Sequence, residues 1–351
     1  MVDAGAFGRV AICVNPMSGR DVRRLAARAT NMTHEAKRDL VARIAAGAQA
    51  TGATDLYVTR EPYNIAALAL ELMPLTARVH VLDVPLKNDA SDTERAVAAF
   101  LAEGVRCLVS LGGDGTNRAI VRALGERCDE VCLLPLSTGT NNVYPVLAEP
   151  TIVGMAAGLQ ARDRLTAPQL RSRSKVLRVR GTCGHGRKVD DLGLIDAVLL
   201  RDDHVGNLLP FDTQRIAQIL LTRAEATGIG MSPIGGLIQE VREAEDEGLL
   251  VTLDAENESA DVRRFLAPVS PGLFAPVAVR STRRLPLGTP VLFHGPGVLA
   301  LDGDRDFKLP ERGALTVTIE RSGPPVLDAA AALRWAAAQA MMPAELATQL
   351  P

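Results

Sequence analysis

Cys107-Leu108-Val109-Ser110-Leu111-Gly112-Gly113-Asp114-Gly115-Thr116-Asn117 is the stretch that decides the fold. An apolar run opens into three glycines within four residues, and a helical period begins near Asn117, as in a strand, tight loop and helix of one α/β unit. Glycine permits positive backbone angles and lets amide N–H groups approach an anion without a Cβ in the way. The helix that follows turns its positive end toward the same place. Gly112, Gly113, Gly115 and Thr116 are therefore expected to cradle phosphate. A carboxylate repels phosphate at close range, so Asp114 needs a role of its own. It could take a proton from an attacking hydroxyl, or orient a hydrated Mg²⁺ that bridges phosphates. The same residues also suit an ordinary strand-to-helix turn in which Asp and Thr cap the helix.

Similar units recur on both sides. Strands are expected at 9–14, 55–59, 78–84, 105–111 and 130–136. Helices are expected between them at about 20–51 (broken near Thr30), 62–73, 90–103, 116–125 and 150–160, which is the pattern of a doubly wound parallel sheet. Such sheets hold ligands beyond the carboxyl ends of their strands. Two more polar loops fall there. Thr138, Gly139, Thr140, Asn141 and Asn142 offer hydroxyls and amides to a nucleotide, and Asn15, Ser18, Gly19 and Arg20 offer donors and a guanidinium to phosphate. Each loop also fits a plain polar turn.

From about Arg171 the texture changes to alternating runs such as KVLRVRG, GLLVTLD, APVAVRS and ALTVTIE, the pattern of antiparallel sheet. A helical segment near 212–226 is expected to interrupt it, and an Ala-rich helix to follow at about 327–342. The expected division is an α/β nucleotide-binding domain over 1–160 and a β-rich substrate-binding domain over 161–324, with 325–351 docking back on the first. Arg171, Arg173, Lys175, Arg178 and Arg180 alternate along one strand and suit a solvated face. Asp302-Gly303-Asp304 suits a tight hairpin turn.

Composition narrows the function. Lys and Arg number 39 against 41 Asp and Glu, and aromatic residues are 3%, so there is neither a global attraction for nucleic acid nor a stacking platform. Neither a signal peptide nor an apolar run of membrane-spanning length is present, and the five cysteines suit small core residues, so a reducing cytoplasm is expected. The five histidines show no metal-ligand spacing and no GxxxxGK[ST] loop occurs, so no protein-built metal site and no ordinary P-loop kinase is expected.

LGGDGTNR at 111–118, with NPMSGRDVRRL at 15–25 and PLSTGTNNVYP at 135–145, resembles the superfamily that joins NAD kinases with diacylglycerol and sphingosine kinases. Within it the chain is most similar to the acetoin-catabolism AcoX-like branch of ATP-NAD kinases, which GIGMSPIGG at 228–236 and GVLALDGDRD at 297–306 also resemble. The resemblance implies ATP, Mg²⁺ and a small-molecule acceptor in a cleft between two domains, with Asp114 as catalytic base or metal-associated carboxylate. It implies transfer of a phosphoryl group to a hydroxyl of NAD or a related acceptor, and a homo-oligomer is compatible with it; composition speaks against a nucleic-acid partner, and the lack of an amphipathic basic helix rich in large apolar residues against a membrane one. NAD kinases carry an Asn-Glu pair where Ile195-Asp196 stands here, and an Asp-Gly-Glu where Asp302-Gly303-Asp304 stands. Asp196, Asp302, Gly303 and Asp304 are thus the expected acceptor-binding group. Ile195 cannot supply the hydrogen bonds of an Asn, which favours weak use of NAD or an acceptor with an apolar group against Ile195. A lipid kinase of the diacylglycerol or sphingoid type, and a nucleotide-binding regulator without efficient transfer, are the alternatives.

Overall fold

The computed structural model describes residues 8–19, 31–139, 142–207, 211–254 and 262–341. Arg20, Thr140 and Asn141, the first part of the expected helix 20–51 and the tail 342–351 lie outside the described residues. The first unit runs β1 (Arg9–Val14), α1 (His34–Ala50), β2 (Asp55–Thr59), α2 (Ile65–Glu71), β3 (Arg78–Leu82), α3 (Ser91–Ala102), β4 (Cys107–Gly112), α4 (Asp114–Leu124), β5 (Cys132–Ser137) and α5 (Pro150–Ala161). Helices cover both faces of the sheet, so β2, β4 and β5 are buried along their whole length and read as unbroken apolar runs. The five strands are parallel in the order β3-β2-β1-β4-β5. Connection direction reverses between β1 and β4, which opens a crevice at their carboxyl ends.

One face of the sheet packs on α1, α2 and α5 through Val41, Ile44, Ile65, Val153 and Leu159. The other packs on α3 and α4 through Val97, Phe100, Ile120 and Leu124, and that cluster continues into the second unit through Val176, Leu192, Leu194 and Ile195. The sheet does not stop at β5. Pro325–Leu327 lies parallel to it, and Arg171–Arg173 lies antiparallel beyond. The chain leaves the first unit at Ser174 and returns at Pro324, and the Ser174 N–H donates to Pro324 O at 3.1 Å. Ala332 and Ala336 of the helix Ala329–Ala338 then join the α1–α5 cluster.

The second unit is a sandwich of antiparallel sheets. One sheet has seven strands, ordered Arg263–Ser270, Leu273–Pro286, Glu247–Leu253, Ile216–Leu221, Asp196–Leu200, Gly297–Leu301 and Asp304–Leu309. The other has four, ordered Pro290–His294, Ala314–Glu320, Val176–Thr182 and Lys188–Gly193. Leu177, Leu199, Leu220, Phe293 and Val317 fill the space between them. Together the units make a mixed α/β fold, with parallel sheet first and antiparallel sheets after it.

Two expectations fail here. Residues 212–226 form no α-helix, only a single 3-10 turn at Thr213–Arg215; Ile216–Leu221 is a central strand of the seven-stranded sheet. Such a strand is buried on both faces and loses the alternation that would mark it, so a short apolar run fits a helical window equally well. Lys175 does not belong to a solvated face. It is 1% exposed, and its Nζ donates to the carbonyls of Arg242 and Glu247, both at 2.9 Å.

Candidate active site

The carboxyl ends of β1, β4 and β5 bring the three polar loops together. Asn15 Nδ2 donates to Thr116 Oγ1 at 2.7 Å, and the hydroxyls of Ser18 and Thr138 share a hydrogen bond of 2.7 Å. Lys37, fully buried on α1, holds the first loop by donating to the carbonyls of Asn15 and Pro16 at 2.9 and 2.6 Å. Gly19 closes that loop with φ +72°, a left-handed conformation suited to glycine.

Asn142 is the wedge between the second and third loops. Its Oδ1 accepts the Asp114 N–H at 3.3 Å and its Nδ2 donates to Ser137 Oγ at 3.0 Å. A Cβ on Gly113 would meet Oδ1 at 2.7 Å, and one on Gly139 would meet Nδ2 at 2.1 Å. Those two glycines are thus required by the approach of Asn142, whose amide is engaged within the protein. Gly112 ends β4, and Gly115 is the open member of the cradle, since a Cβ there would meet only Asp304 Oδ2, at 3.8 Å. Asp114 opens α4, so the N–H groups of Gly115 and Thr116 fall in the first turn, where a helix supplies no acceptor.

The Asp114 carboxylate turns back onto the third loop. Oδ1 accepts from Tyr144 N at 2.8 Å and Oδ2 from Val143 N at 3.1 Å. Protein packed around the group strips its water and pushes its pKa up to about 7, with the negative charge of Asp302 acting in the same direction and the two backbone donors opposing.

The second unit contributes an acidic turn. Asp302 and Gly303 have φ of +50° and +89°, the two positive angles of a tight hairpin turn between Gly297–Leu301 and Asp304–Leu309. The Asp302 carboxylate accepts from the N–H groups of Leu194, Ile195 and Asp196 at 2.8, 2.7 and 3.3 Å. Beside it Asp196 is 6% exposed and its Oδ1 has no hydrogen-bond partner. Burial and the charges of Asp302 and Asp114 hold its pKa well above the usual carboxylate range.

Arg118, one turn along α4 from Asp114, fastens this turn to the first unit. Its guanidinium donates to Leu192 O at 2.7 Å, Leu301 O at 3.3 Å, Asp191 Oδ2 at 3.1 Å and Asp306 Oδ2 at 2.9 Å, and Asp304 Oδ2 lies 4.0 Å away. Sequence reasoning gave Arg118 no role, because each of these partners is 73 or more residues distant.

Ile195 gives its N–H to this turn from the bend before the strand Asp196–Leu200, but its side chain is not in the site. Its side chain is 1% exposed, in the cluster with Tyr144, Leu192 and Leu194, so no acceptor group can pack against it. Ile195→Asn is expected to lower stability in urea titration by at least about 1.5–3 kcal/mol, the apolar burial alone. A gain in NAD affinity at unchanged stability would reverse that assignment.

Acetoin catabolism protein X of Cupriavidus necator is 33% identical over 351 residues, an alignment covering 97% of this chain and 96% of the relative. The chain belongs to the acetoin catabolism protein X family. Residues 175–322 match the family's C-terminal domain, and residues 10–163 match the ATP-NAD kinase N-terminal domain. This acetoin catabolism protein X family member therefore carries a kinase-family domain in its parallel-sheet unit. Yeast NADH kinase complexed with NADH superimposes with a TM-score of 0.52 at 15% identity, covering 92% of this chain and 83% of that one, a likeness of fold. A local match, 42% identical over 64 residues, relates 18% of the chain to 22% of a probable lipid kinase YegS-like protein of Pseudomonas putida. Among the described residues no helix is long and apolar enough to cross a membrane.

Proposed function

We propose that the protein transfers the terminal phosphoryl group of ATP, taken up with Mg²⁺, to a hydroxyl of a small acceptor, NAD or a related compound. One observation carries the proposal: the Asp114 carboxylate, fixed by the N–H groups of Val143 and Tyr144, lies where three strand-end loops meet. The open side of Gly115 and the first-turn N–H groups of Gly115 and Thr116 fit a phosphate chain, with Ser18 and Thr138 alongside. Among the described residues no group of three or more His, Cys, Asp or Glu suits a metal, so Mg²⁺ would arrive with the nucleotide. Bound Mg-ATP supplies the electrophilic phosphorus and part of the charge neutralisation.

The chain's own contribution is orientation and a proton acceptor. Val143 and Tyr144 fix the Asp114 carboxylate and leave it capacity to accept one more hydrogen bond, from the acceptor hydroxyl. Asp196, with an idle buried oxygen, would take a donor group of the acceptor beside the Asp302 turn.

Protonated Asp114 cannot act as a base, so turnover is expected to rise as pH increases through about 7, tracking its ionisation. The stability effect runs the other way. A folded-state value above the unfolded one favours the native state at low pH, and that contribution fades as pH climbs from the ordinary carboxylate range toward 7. A pH-independent transfer rate measured with saturating Mg-ATP would remove Asp114 from the base role.

The local likeness to a lipid kinase favours a lipid acceptor as the second reading. Product analysis and ADP release with NAD, with diacylglycerol in mixed micelles and with no acceptor separate the cases. Phosphorylated NAD is expected; product from diacylglycerol alone selects the lipid reading, and nucleotide binding without product from either selects a regulator.

A further inference from the structure

Two arginines border this site, and they differ in what their donors do. Arg118 spends its donors on carbonyls and carboxylates of the protein. Arg223, two residues beyond the strand Ile216–Leu221, spends none. Its side chain is 13% exposed, its Nε is buried without a hydrogen-bond partner, and the carboxylate beside it, Glu243 Oε2, is 3.6 Å from Nε, beyond hydrogen-bond reach. Glu243 has other obligations: Oε1 accepts from Lys175 N at 3.0 Å and lies 3.7 Å from Arg321.

The position of Arg223 is fixed by its surroundings. Its carbonyl accepts from Ser232 Oγ at 3.1 Å, and the neighbouring Thr222 Oγ1 donates to Leu194 O at 2.8 Å. The guanidinium carbon lies 5.9 Å from the ring centroid of Tyr144, the residue whose N–H holds Asp114. A ring contact engages the charge without consuming an N–H. The guanidinium is also close enough for its charge to act on the Asp114 carboxyl.

This guanidinium is mostly withdrawn from water, and although Glu243 faces its charge, its Nε makes no hydrogen bond, a cost that an anion within hydrogen-bond reach would relieve. Among the described residues of the three loops, 15–19, 112–117, 137–139 and 142–144, there is no Lys or Arg. We propose that Arg223 grips a phosphate group beside Asp114, so that the second unit supplies the cation for an anion held by the first. Its planar fork suits two oxygens of one phosphate. The choice of phosphate rests on the phosphotransferase reading; the buried, unpartnered Nε of an arginine packed on Tyr144 does not.

Calorimetric titration of the full chain with Mg-ATP, NAD and inorganic pyrophosphate, in wild type, Arg223→Gln and Arg223→Lys, tests this. Loss of a charge-assisted contact corresponds to roughly 10- to 150-fold in affinity. That loss is expected for pyrophosphate in Arg223→Gln, with a smaller one in Arg223→Lys, which keeps the charge without the fork. An equal loss for Mg-ATP but not NAD assigns the phosphate to the nucleotide, and the reverse assigns it to the acceptor. Wild-type binding of pyrophosphate without Mg-ATP, still lost in Arg223→Gln, supports the grip and removes ATP from the functional proposal. Unchanged affinity for all three ligands in both folded variants overturns the grip and leaves the kinase reading standing; wild type binding none of them overturns both. A melting curve identifies any variant that does not fold, and Arg223→Lys, which preserves the charge facing Glu243, then decides.

Discussion

Asp114→Asn is expected to reduce phosphoryl transfer by about 10²- to 10⁴-fold while Mg-ATP still binds, since the substitution removes a general base and relieves repulsion from phosphate. The amide oxygen can go on accepting the Tyr144 N–H, now at 2.8 Å. Its nitrogen, however, would turn an N–H toward the N–H of Val143, which the two carboxylate oxygens now share at 3.2 and 3.1 Å. That conflict is expected to cost about 1–3 kcal/mol of stability, so turnover must be measured per bound complex in a single-turnover experiment. If binding collapses and turnover of what remains bound is normal, Asp114 holds ligand and another group takes the proton.

Arg118→Met should produce the largest loss of stability in this region. The substitution retains much of the side chain's volume but leaves Asp306 and the carbonyls of Leu192 and Leu301 without their buried donor, while Asp191 keeps Arg122 at 2.7 Å. Removing one partner of a buried ion pair typically costs about 3–5 kcal/mol; because Asp306 is 35% exposed and water screens the charge left behind, a loss toward the lower end of that range is expected, which urea denaturation reads directly. Arg118→Lys should fall between, since it keeps the charge and loses the fork. A loss below about 1 kcal/mol, the range of exposed ion pairs, would mean that the two units are held together by the apolar cluster around Leu192, Leu194 and Ile195.

The parallel sheet and its three loops were legible because each strand, loop and helix is written locally: an apolar run, a glycine cluster, then a helical period. The expected strand 105–111 is Cys107–Gly112, and the expected helix 150–160 is Pro150–Ala161. Ile216–Leu221 was misjudged because double-sided burial erased its alternation. The expected site residues of the loops do gather, with Arg20, Thr140 and Asn141 outside the described residues. What sequence could not convey was the fate of each polar atom. Asn142 looks like a ligand contact in a polar loop and is a wedge between two glycines. Arg118 and Arg223 look alike in a string of letters, yet one donates to residues up to 188 positions away and the other leaves a buried Nε without a hydrogen-bond partner. Ile195 stands next to Asp196 in sequence, yet its side chain packs into the apolar cluster while Asp196 faces the acidic group.

The order in which the first sheet is assembled sets a problem for synthesis on the ribosome. Val326 pairs with Leu133 of β5, so a strand in the middle of the sequence waits for one near residue 326 before its edge is closed. At about 5–20 residues per second, the intervening chain takes on the order of ten seconds or more to emerge. During that interval the whole antiparallel sandwich must be made and set aside, while the part of the β5 edge around Leu133, which Val146 does not cover, stays available to any other strand. Nascent chains stalled before residue 325 should therefore depend on chaperones in a way that the released protein does not.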